Sequence, residues 1–298
     1  MKAISVHLTD QCNNSCIFCV VNSHKERREG VNKKLLYKFL EENANQGYES
    51  VNIHGGEATV LDDFEDILKM IQDLNYKEVS LQTNGRKLSD FNYAKRLYQL
   101  GVKLFVVSMH GKDAAQHDFI TQETGSFNEA MEGIKNAKRL GAKVRTNTVV
   151  YKNNIDSLVE IANLIIDCGV DHINISGLHP VGKAYQNFHQ VTPRYSEIMP
   201  QVFQMVDQCI KRNTIVTLEG FPTCMVKGYE DYQLQWEDIH FKLLYHNFII
   251  KNYADFMENE TKRHGIACEE CLHKKNCGGV YKEYLEFYGW DEFSTAVG

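Results

Sequence analysis

Short apolar runs alternate with amphipathic stretches through roughly the first 180 residues of the chain. The apolar runs have the length of β-strands, and they lie at 3–8, 51–54, 78–82, 102–108, 143–150 and 171–177. Between them, apolar positions recur with a helical period at roughly 32–46, 62–74, 88–100, 127–140 and 154–168. Glycines that suit helix C-caps stand just ahead of the next strand at Gly47, Gly101, Gly141 and Gly169. Six such units in series predict a parallel sheet.

The regular spacing of these units favours a barrel, because no G-x-G-x-x-G motif of a dinucleotide-binding sheet follows the first strand. We therefore predict an α/β fold, a partial (β/α)6 TIM-type barrel with a C-terminal cysteine-bearing extension. The barrel is assigned to residues 1–190 and the extension to 191–298. In the extension, a helix at 193–212 leads to a short strand at 214–219 and then to an aromatic-rich helical stretch. Parallel barrels carry their chemistry in the loops after the strands.

Composition and charge narrow the range of functions. Hydrophobic residues make up 43% and charged residues 24% of the 298 residues, as in ordinary globular proteins. The formal charge of −6 and the lack of a long basic stripe give no reason to expect nucleic acid binding. No signal peptide or membrane-length apolar run is visible, so a cytoplasmic location is expected. Disulfides are rare there, and nine cysteines point to a metal, a catalytic thiol or burial.

Three of these cysteines follow the first strand with the spacing C-x3-C-x2-C: Cys12, Cys16 and Cys19. Three thiolates on one short loop can ligate three irons of a [4Fe–4S] cluster and leave the fourth iron open. The alternatives are a zinc site or buried thiols. Closed structural zinc sites usually take four protein ligands, and the fourth would have to come from His24 or from elsewhere.

This motif, with Phe18 just before the third cysteine, resembles that of the radical S-adenosylmethionine (radical SAM) superfamily. Three further features match at strand ends: "HGGEATV" after strand two, "LQTNG" at the end of strand three and "VVSMHG" at the end of strand four. The resemblance covers residues 1 to about 180. It implies a [4Fe–4S] cluster that binds S-adenosylmethionine (SAM), reductive cleavage of SAM to a 5′-deoxyadenosyl radical, and abstraction of a substrate hydrogen.

The resemblance also implies which residues contact SAM. Gly55, Gly56 and Glu57 resemble the family's GGE motif, which receives the amino group of SAM. A tight turn with a capping acid is the alternative interpretation of these three residues. Asn84 belongs to the TNG turn, and Ser108 stands where the family places a serine that contacts the ribose.

The chemistry of SAM suggests three more contacts. Arg145 on strand five can pair with the SAM carboxylate through a bidentate fork. Asn147 lies two residues on and therefore faces the same side, and Leu178, just past strand six, is placed to touch adenine. For all three residues, ordinary lining of the barrel is the alternative interpretation.

A second set of cysteines lies in the extension. Cys268, Cys271 and Cys277 follow the spacing C-x2-C-x5-C, and Cys224 stands alone in "FPTC". The set resembles part of the SPASM/twitch extensions of radical SAM enzymes, which carry auxiliary [4Fe–4S] clusters. The full SPASM pattern has more cysteines, and Tyr281 occupies a place where another is expected, so the resemblance implies one auxiliary cluster of the twitch type. A structural zinc site with the same four thiolates is the alternative.

Several other residues have two interpretations. His54, His110 and His179 lie at or just past strand ends, where a histidine could hold or protonate a substrate. Histidines that stabilise a loop by hydrogen bonding are equally compatible with these positions. Cys168 and Cys209 fall on helical faces, where burial as small hydrophobic side chains is expected.

We therefore predict a radical SAM enzyme, with a peptide as the leading substrate class, as in maturases of ribosomally made peptides. The chain starts directly on strand one, so a peptide substrate would be expected to need a separate recognition protein. The alternative is a twitch-type oxidoreductase or cyclase that acts on a small metabolite such as an aminosugar or nucleotide. A non-catalytic zinc or Fe–S scaffold is a third possibility. The resemblance further implies a flavodoxin- or ferredoxin-type electron donor.

Overall fold

The computed structural model describes residues 2–234 and 240–293. Its first part consists of strands that alternate with helices: β1 Ala3–His7, α1 Lys33–Ala44, β2 Ser50–His54, α2 Phe64–Asp73, β3 Glu78–Thr83, α3 Phe91–Gln99, β4 Val102–Ser108, α4 Ala114–Thr121, α5 Ser126–Arg139, β5 Lys143–Val150, α6 Leu158–Asp167 and β6 His172–Gly177. The later part contains α7 Lys183–Gln186, α8 Phe188–Val191, α9 Tyr195–Lys211, β7 Ile215–Glu219, β8 Lys242–Tyr245, β9 Phe248–Ile250, α10 Tyr253–Phe256, β10 Lys262–Arg263, β11 Val280–Tyr281 and α11 Lys282–Tyr288.

The described residues form a sheet of nine strands, in the order β7-β6-β5-β4-β3-β2-β1-β8-β9, and a second sheet of β10 and β11. Neighbouring strands from β1 to β6 are parallel and follow one another in sequence. This confirms the predicted α/β class and the partial (β/α)6 barrel. The carboxyl ends of these strands therefore meet at one rim of the sheet, which is where the first cysteine loop begins.

Side chains along each strand alternate between two environments, as the pleat of a strand requires. One face is apolar, and it packs against the helices through residues such as Ile4, Val6, Ile53, Leu81, Phe105 and Ile173. The opposite face is polar. Ser80 donates a hydrogen bond to Asn52 on the neighbouring strand (2.9 Å). The interior of the partial barrel is therefore lined with hydrogen-bonding groups.

The segment after residue 190 contributes to the same sheet. β7 pairs in parallel with β6, with Ile175 opposite Leu218, and β8 pairs in parallel with β1, with Val6 opposite Leu244. The expected helix in the aromatic-rich stretch is wrong for the described residues 240–250, because β8 and β9 form an antiparallel hairpin there. Residues 235–239 of that stretch lie outside the described residues. The division at residue 190 stays a prediction.

Local signals explain where several helices begin and end. Asn32 caps α1 by accepting the backbone N–H groups of Lys34 and Leu35, at 2.9 and 3.2 Å. The four glycines expected at helix ends follow α1, α3, α5 and α6, and all have positive φ. Helix α4 was not predicted. In the described part of the chain, no helix combines the length and apolar character needed to span a membrane.

Candidate functional site

The first cysteine loop leaves β1 at the rim and is held at several places. The Cys12 N–H donates to the carbonyl of His24 (3.2 Å), which closes the loop at its base. In its middle, the Ser15 N–H donates to the carbonyl of Thr121 at the end of α4 (2.9 Å). These backbone hydrogen bonds fix the path of the loop, so the direction of each cysteine is set by the protein itself.

The three thiols of this loop lie near one another. Burial raises the pKa of Cys12 to about 12 and also raises the pKa of Cys16, and the charge of the nearby Cys19 adds to both effects. Backbone N–H groups point at two of the sulfurs, from Asn14 to Cys12 Sγ (3.3 Å) and from Ser23 to Cys19 Sγ (3.2 Å). Buried thiols lose their protons when a metal binds. This donor set fits the three-thiolate ligation of an iron–sulfur cluster.

The turn after β2 packs directly on the start of the cysteine loop. The Gly56 N–H donates to the Thr9 carbonyl (2.6 Å), and the Glu57 N–H donates to the Gln11 carbonyl (2.8 Å). A Cβ atom on Gly56 would lie 2.4 Å from the Gln11 carbonyl oxygen, and a Cβ atom on Gly55 would lie 2.5 Å from that of Thr9. Both positions therefore need glycine for the two backbones to approach so closely.

The Glu57 carboxylate is fully buried, and it joins the turns after β2 and β3. Its Oε1 accepts hydrogen bonds from the hydroxyls of Thr59 (2.7 Å) and Thr83 (2.9 Å), and its Oε2 accepts one from the Asn84 N–H (2.6 Å). Burial raises the pKa of Glu57, although these hydrogen bonds act in the opposite direction. Sequence reasoning assigned this side chain to the SAM ammonium group, with a capping acid in a tight turn as the alternative, and missed its bridge to the turn after β3.

The turn after β3 also forms hydrogen bonds with the cysteine loop. Asn84 donates from Nδ2 to the side-chain oxygen of Asn13 (2.6 Å), and the same group lies 3.8 Å from Cys12 Sγ. Arg86 donates from Nη1 to the backbone carbonyl of Asn13 (2.6 Å) and to the side chain of Asn14 (3.0 Å). Sequence reasoning missed Arg86, although its position directly after the TNG turn was a usable signal.

A third contact comes from the segment after β6. The Lys183 N–H donates to the Cys19 carbonyl (2.9 Å), and the Lys183 ammonium group donates to the Ser15 hydroxyl (2.7 Å). Gly182 has a φ of 60°, and a Cβ atom there would lie 2.4 Å from the Val20 carbonyl oxygen. The cysteine loop is thus enclosed by the turns after β2, β3 and β6.

Phe18 and Leu178 belong to one small cluster of buried apolar side chains. Phe18 packs edge-on against His110 (ring centroids 5.1 Å apart) and Tyr151 (5.5 Å). The cluster is completed by Ile120, Ala184 and Val191. It lies against the cysteine loop and stabilises it from one side, and a contact of either residue with SAM stays a prediction.

Ser108 and Asn147 stand opposite each other on neighbouring strands β4 and β5. Asn147 Oδ1 accepts hydrogen bonds from Asn174 Nδ2 (2.8 Å) and the Ser176 hydroxyl (2.7 Å), both on β6. Ser108 and Asn147 therefore lie next to each other in the polar interior.

Arg145 lies on the same face of β5, two residues before Asn147. Its Nη2 is 3.5 Å from Glu219 Oε2 on β7, and Asn174 donates to that same oxygen (2.7 Å). Burial lowers the pKa of Arg145, and the charge of Glu219 counteracts this effect. In the structure Arg145 is thus paired with an acid of the later segment, a partner that the strand pattern did not reveal.

Two histidines after β4 stabilise loops through their neutral rings. His117 Nδ1 accepts the backbone N–H of His110 (3.2 Å), and His110 Nδ1 accepts that of Val149 (3.2 Å). Burial lowers the pKa of His110 to about 3 and that of His117 to about 4. These interactions favour the loop-stabilising interpretation of His110.

The four cysteines of the extension come together around one cavity, which is lined by Cys224, Cys268, Cys271 and Cys277. Burial raises the pKa of Cys224 to about 12, and the charges of the other three cysteines add to the rise. Burial also acts to raise the pKa of Cys277, but hydrogen bonds from His264, Thr223 and Gly279 outweigh it and lower the pKa to about 7. This convergence fits a metal group held by four thiolates.

Comparison with known proteins places these features in context. The family model of the radical SAM superfamily matches residues 6–165. A probable GTP 3′,8-cyclase of Sulfurisphaera tokodaii is 33% identical over 189 residues, covering 63% of this chain and 59% of the relative. A probable GTP 3′,8-cyclase of Saccharolobus islandicus (strain M.14.25 / Kamchatka #1) is 33% identical over 189 residues, covering 61% and 58%. The chain thus spans less than two thirds of the length of these relatives.

Two solved structures have a similar fold. Streptococcus suis SuiB bound to S-adenosylmethionine matches with a TM-score of 0.71 at 16% identity, covering 99% of this chain and 76% of that chain. Native anSMEcpe with bound AdoMet matches with a TM-score of 0.66 at 16% identity, covering 99% and 93%. At such identities the likeness shows the fold alone.

Proposed function

Because the chain belongs to the radical SAM superfamily, we propose that Cys12, Cys16 and Cys19 hold its [4Fe–4S] cluster and leave one iron open for SAM. The observation that carries this proposal is the convergence of three thiols in one loop, with backbone N–H groups aimed at two of the sulfurs. When bound, the cluster and SAM supply a 5′-deoxyadenosyl radical that removes a hydrogen atom from the substrate.

The protein's own groups position these partners and keep water away from them. The backbone of Gly55 and Gly56 and the carboxylate of Glu57 border the rim beside the cysteines, where we place the methionine part of SAM. Ser108 and Asn147 lie across the interior and offer a hydroxyl and an amide to the ribose. We assign the adenine to the end of β6 near Leu178.

Arg145 is a candidate for the SAM carboxylate with an added requirement. Its Nη2 lies 3.5 Å from Glu219 Oε2, so the guanidinium group would have to contact Glu219 and the SAM carboxylate at the same time. Replacement by lysine would keep the charge and remove the fork, and it should weaken SAM binding measured by equilibrium dialysis.

For the extension, we propose an auxiliary [4Fe–4S] cluster ligated by Cys224, Cys268, Cys271 and Cys277, as in twitch-type enzymes. The shared cavity and the mutual electrostatic effects of the four thiols support this assignment. Such a cluster can accept an electron from a substrate radical and so allow net oxidation.

Metal analysis separates this assignment from zinc. After anaerobic reconstitution we expect about eight irons and eight sulfides per chain, from two clusters. A Cys268→Ser/Cys271→Ser variant should retain about four of each. Cys168→Ala is the control, because Cys168 lies at the end of α6. About four irons and one zinc per wild-type chain would contradict the auxiliary cluster.

As substrate, we propose a small polar metabolite of the nucleotide type, in a cyclase or oxidoreductase reaction, rather than a peptide. The 33% identity to proteins named probable GTP 3′,8-cyclase supports this class. The polar interior around Asn174, Ser176 and Glu219 supports it as well, because hydrogen-bonding groups suit a compact polar molecule. A flavodoxin- or ferredoxin-type protein would provide the electron.

The substrate class can be tested by the formation of 5′-deoxyadenosine from SAM with dithionite as reductant. Purine nucleoside triphosphates should raise this rate above the substrate-free background. Glu219→Gln should reduce this increase, because it removes a charged acceptor from the polar interior. Stimulation by short peptides, with no response to any nucleotide, would favour peptide modification and overturn the metabolite proposal.

A further inference from the structure

A buried carboxylate just before the first cysteine loop connects three parts of the molecule. Asp10 is 0% exposed. Its Oδ1 lies 2.6 Å from His7 Nε2 and 3.1 Å from His246 Nε2, and its Oδ2 lies 2.7 Å from Arg27 Nη2. His7 ends β1, Arg27 follows the third cysteine of the loop, and His246 belongs to the β8–β9 hairpin. An ionised carboxylate is stable at this depth because two imidazole rings hydrogen-bond to Oδ1 and the Arg27 guanidinium group forms an ion pair with Oδ2.

Arg27 carries this connection to the end of the cysteine loop. Its Nη1 donates to the backbone carbonyls of Val21 (2.8 Å) and Asn22 (3.4 Å). The next residue, Ser23, donates its N–H to Cys19 Sγ (3.2 Å). The guanidinium group therefore holds the turn that aims a hydrogen bond at one of the sulfurs.

His246 occupies an unusual backbone position at the other end of the network. It follows β8 in the hairpin turn and has a φ of 49°, a conformation that favours glycine or asparagine over histidine. Its ring stacks on Tyr245 (centroids 4.5 Å apart, 12° between planes), which orients Nε2 toward Asp10. The contacts of the imidazole ring thus hold His246 in a backbone conformation that disfavours histidine.

We propose that Asp10 and His246 are positioning residues for the N-terminal cluster, through the connection His246–Asp10–Arg27 to the turn at 21–23 and the Ser23 N–H. This inference rests on the proposed ligation of a cluster by Cys12, Cys16 and Cys19. It gives the later segment of the chain a direct function at the first cysteine loop.

The electronic consequence follows from the last contact of this connection. Hydrogen bonds to cysteine sulfurs stabilise the reduced form of an iron–sulfur cluster and raise its reduction potential. If the turn at 21–23 is released, the Ser23 N–H leaves Cys19 Sγ, and the reduction potential becomes more negative. None of the residues in this network is a proposed ligand of the cluster, so the cluster itself should still form in the variants.

Redox titration of the reconstituted, full-length protein tests this inference. His246→Phe keeps the aromatic ring on Tyr245, removes the donor to Asp10 and leaves Asp10 and Arg27 themselves in place. Arg27→Lys keeps the charge but removes the fork that contacts Asp10 and the Val21 carbonyl together. The signal followed by electron paramagnetic resonance is the one that changes when SAM is added, because only a cluster with an open iron responds.

We expect a more negative midpoint potential in both variants and a return toward the wild-type value in His246→Gln, which restores an N–H donor. His240→Phe is the matched control, because His240 contacts Asn252 (3.0 Å) instead of Asp10. If the potentials of His246→Phe and Arg27→Lys are unchanged while a SAM-responsive cluster is present, this inference is overturned and the proposed function still stands. A wild-type protein without any SAM-responsive cluster would overturn the proposed function as well.

Metal analysis adds an independent outcome. The ligand atoms of His7, Asp10 and His246 lie within 4.8 Å of one another, a set of donors that a divalent transition metal ion could also use. One equivalent of such a metal beyond cluster iron, present in wild type and lost in His246→Phe, would contradict the hydrogen-bonded network that we propose.

Discussion

Replacement of Glu57 by glutamine should destabilise the rim of the barrel, because the carboxylate accepts hydrogen bonds from two turns at once. Its Oε2 accepts the Asn84 N–H at 2.6 Å, while Oε1 accepts the hydroxyls of Thr59 and Thr83. A glutamine can keep its oxygen toward the threonines only by turning its NH2 group toward the Asn84 N–H. One charge-assisted hydrogen bond is then lost, and a buried donor is left without an acceptor.

The loss of a hydrogen bond to a charged group costs about 1.5–3 kcal/mol of unfolding free energy. Glutamine avoids the burial of a charge, which offsets part of this cost, so we expect about 1.5 kcal/mol. Urea denaturation of the cluster-free protein, followed by circular dichroism, measures the difference. Glu65→Gln is the control, because Glu65 is only partly buried and pairs with Arg96 (3.1 Å), and it should change stability by less than about 0.5 kcal/mol. Equal stability of the two variants would refute this reasoning.

Three further predictions follow from the same contacts. Arg86→Lys should lower the amount of N-terminal cluster retained after reconstitution, measured as iron and sulfide, because lysine cannot contact the Asn13 carbonyl and Glu129 together; full retention would contradict it. Gly182→Ala should lower the unfolding free energy by about 1–3 kcal/mol, measured by urea denaturation, because φ is 60° there. The pKa values of His110 and His117 are depressed in the folded protein, so stability should fall as the pH drops from 6.5 toward 4, by up to about 1.4 kcal/mol per pH unit for each ring. His117→Asn should make this pH dependence of stability shallower, and an unchanged slope would refute the assignment.

Sequence patterns were sufficient for the parts of the fold that depend on local interactions. The alternation of apolar runs and helical stretches predicted the six parallel strands, and the C-x3-C-x2-C spacing located the first cysteine loop. Local periodicity could not predict that β8 pairs with β1, because the pairing joins residues about 240 positions apart. A parallel partner leaves no turn signal between the two strands.

The candidate site shows the same limit at the level of single side chains. The motif around Glu57 predicted where the carboxylate stands, but two of its four donors come from Thr83 and Asn84, which the sequence does not connect to it. The ion pair of Arg145 with Glu219 and the contact of His246 with Asp10 depend on β7 and β8, which flank the six predicted strands on either side. Partners of this kind become visible only when the strands are assembled.

The most direct test of the account is the cleavage of SAM by the purified protein. After anaerobic reconstitution and addition of dithionite, the wild-type protein should convert SAM to 5′-deoxyadenosine and methionine, measured by liquid chromatography with mass spectrometry. The Cys12→Ala/Cys16→Ala/Cys19→Ala variant should form no 5′-deoxyadenosine, although the extension keeps its own cysteines. Equal amounts of 5′-deoxyadenosine from both proteins, or none from a wild-type protein that holds a SAM-responsive cluster, would contradict it.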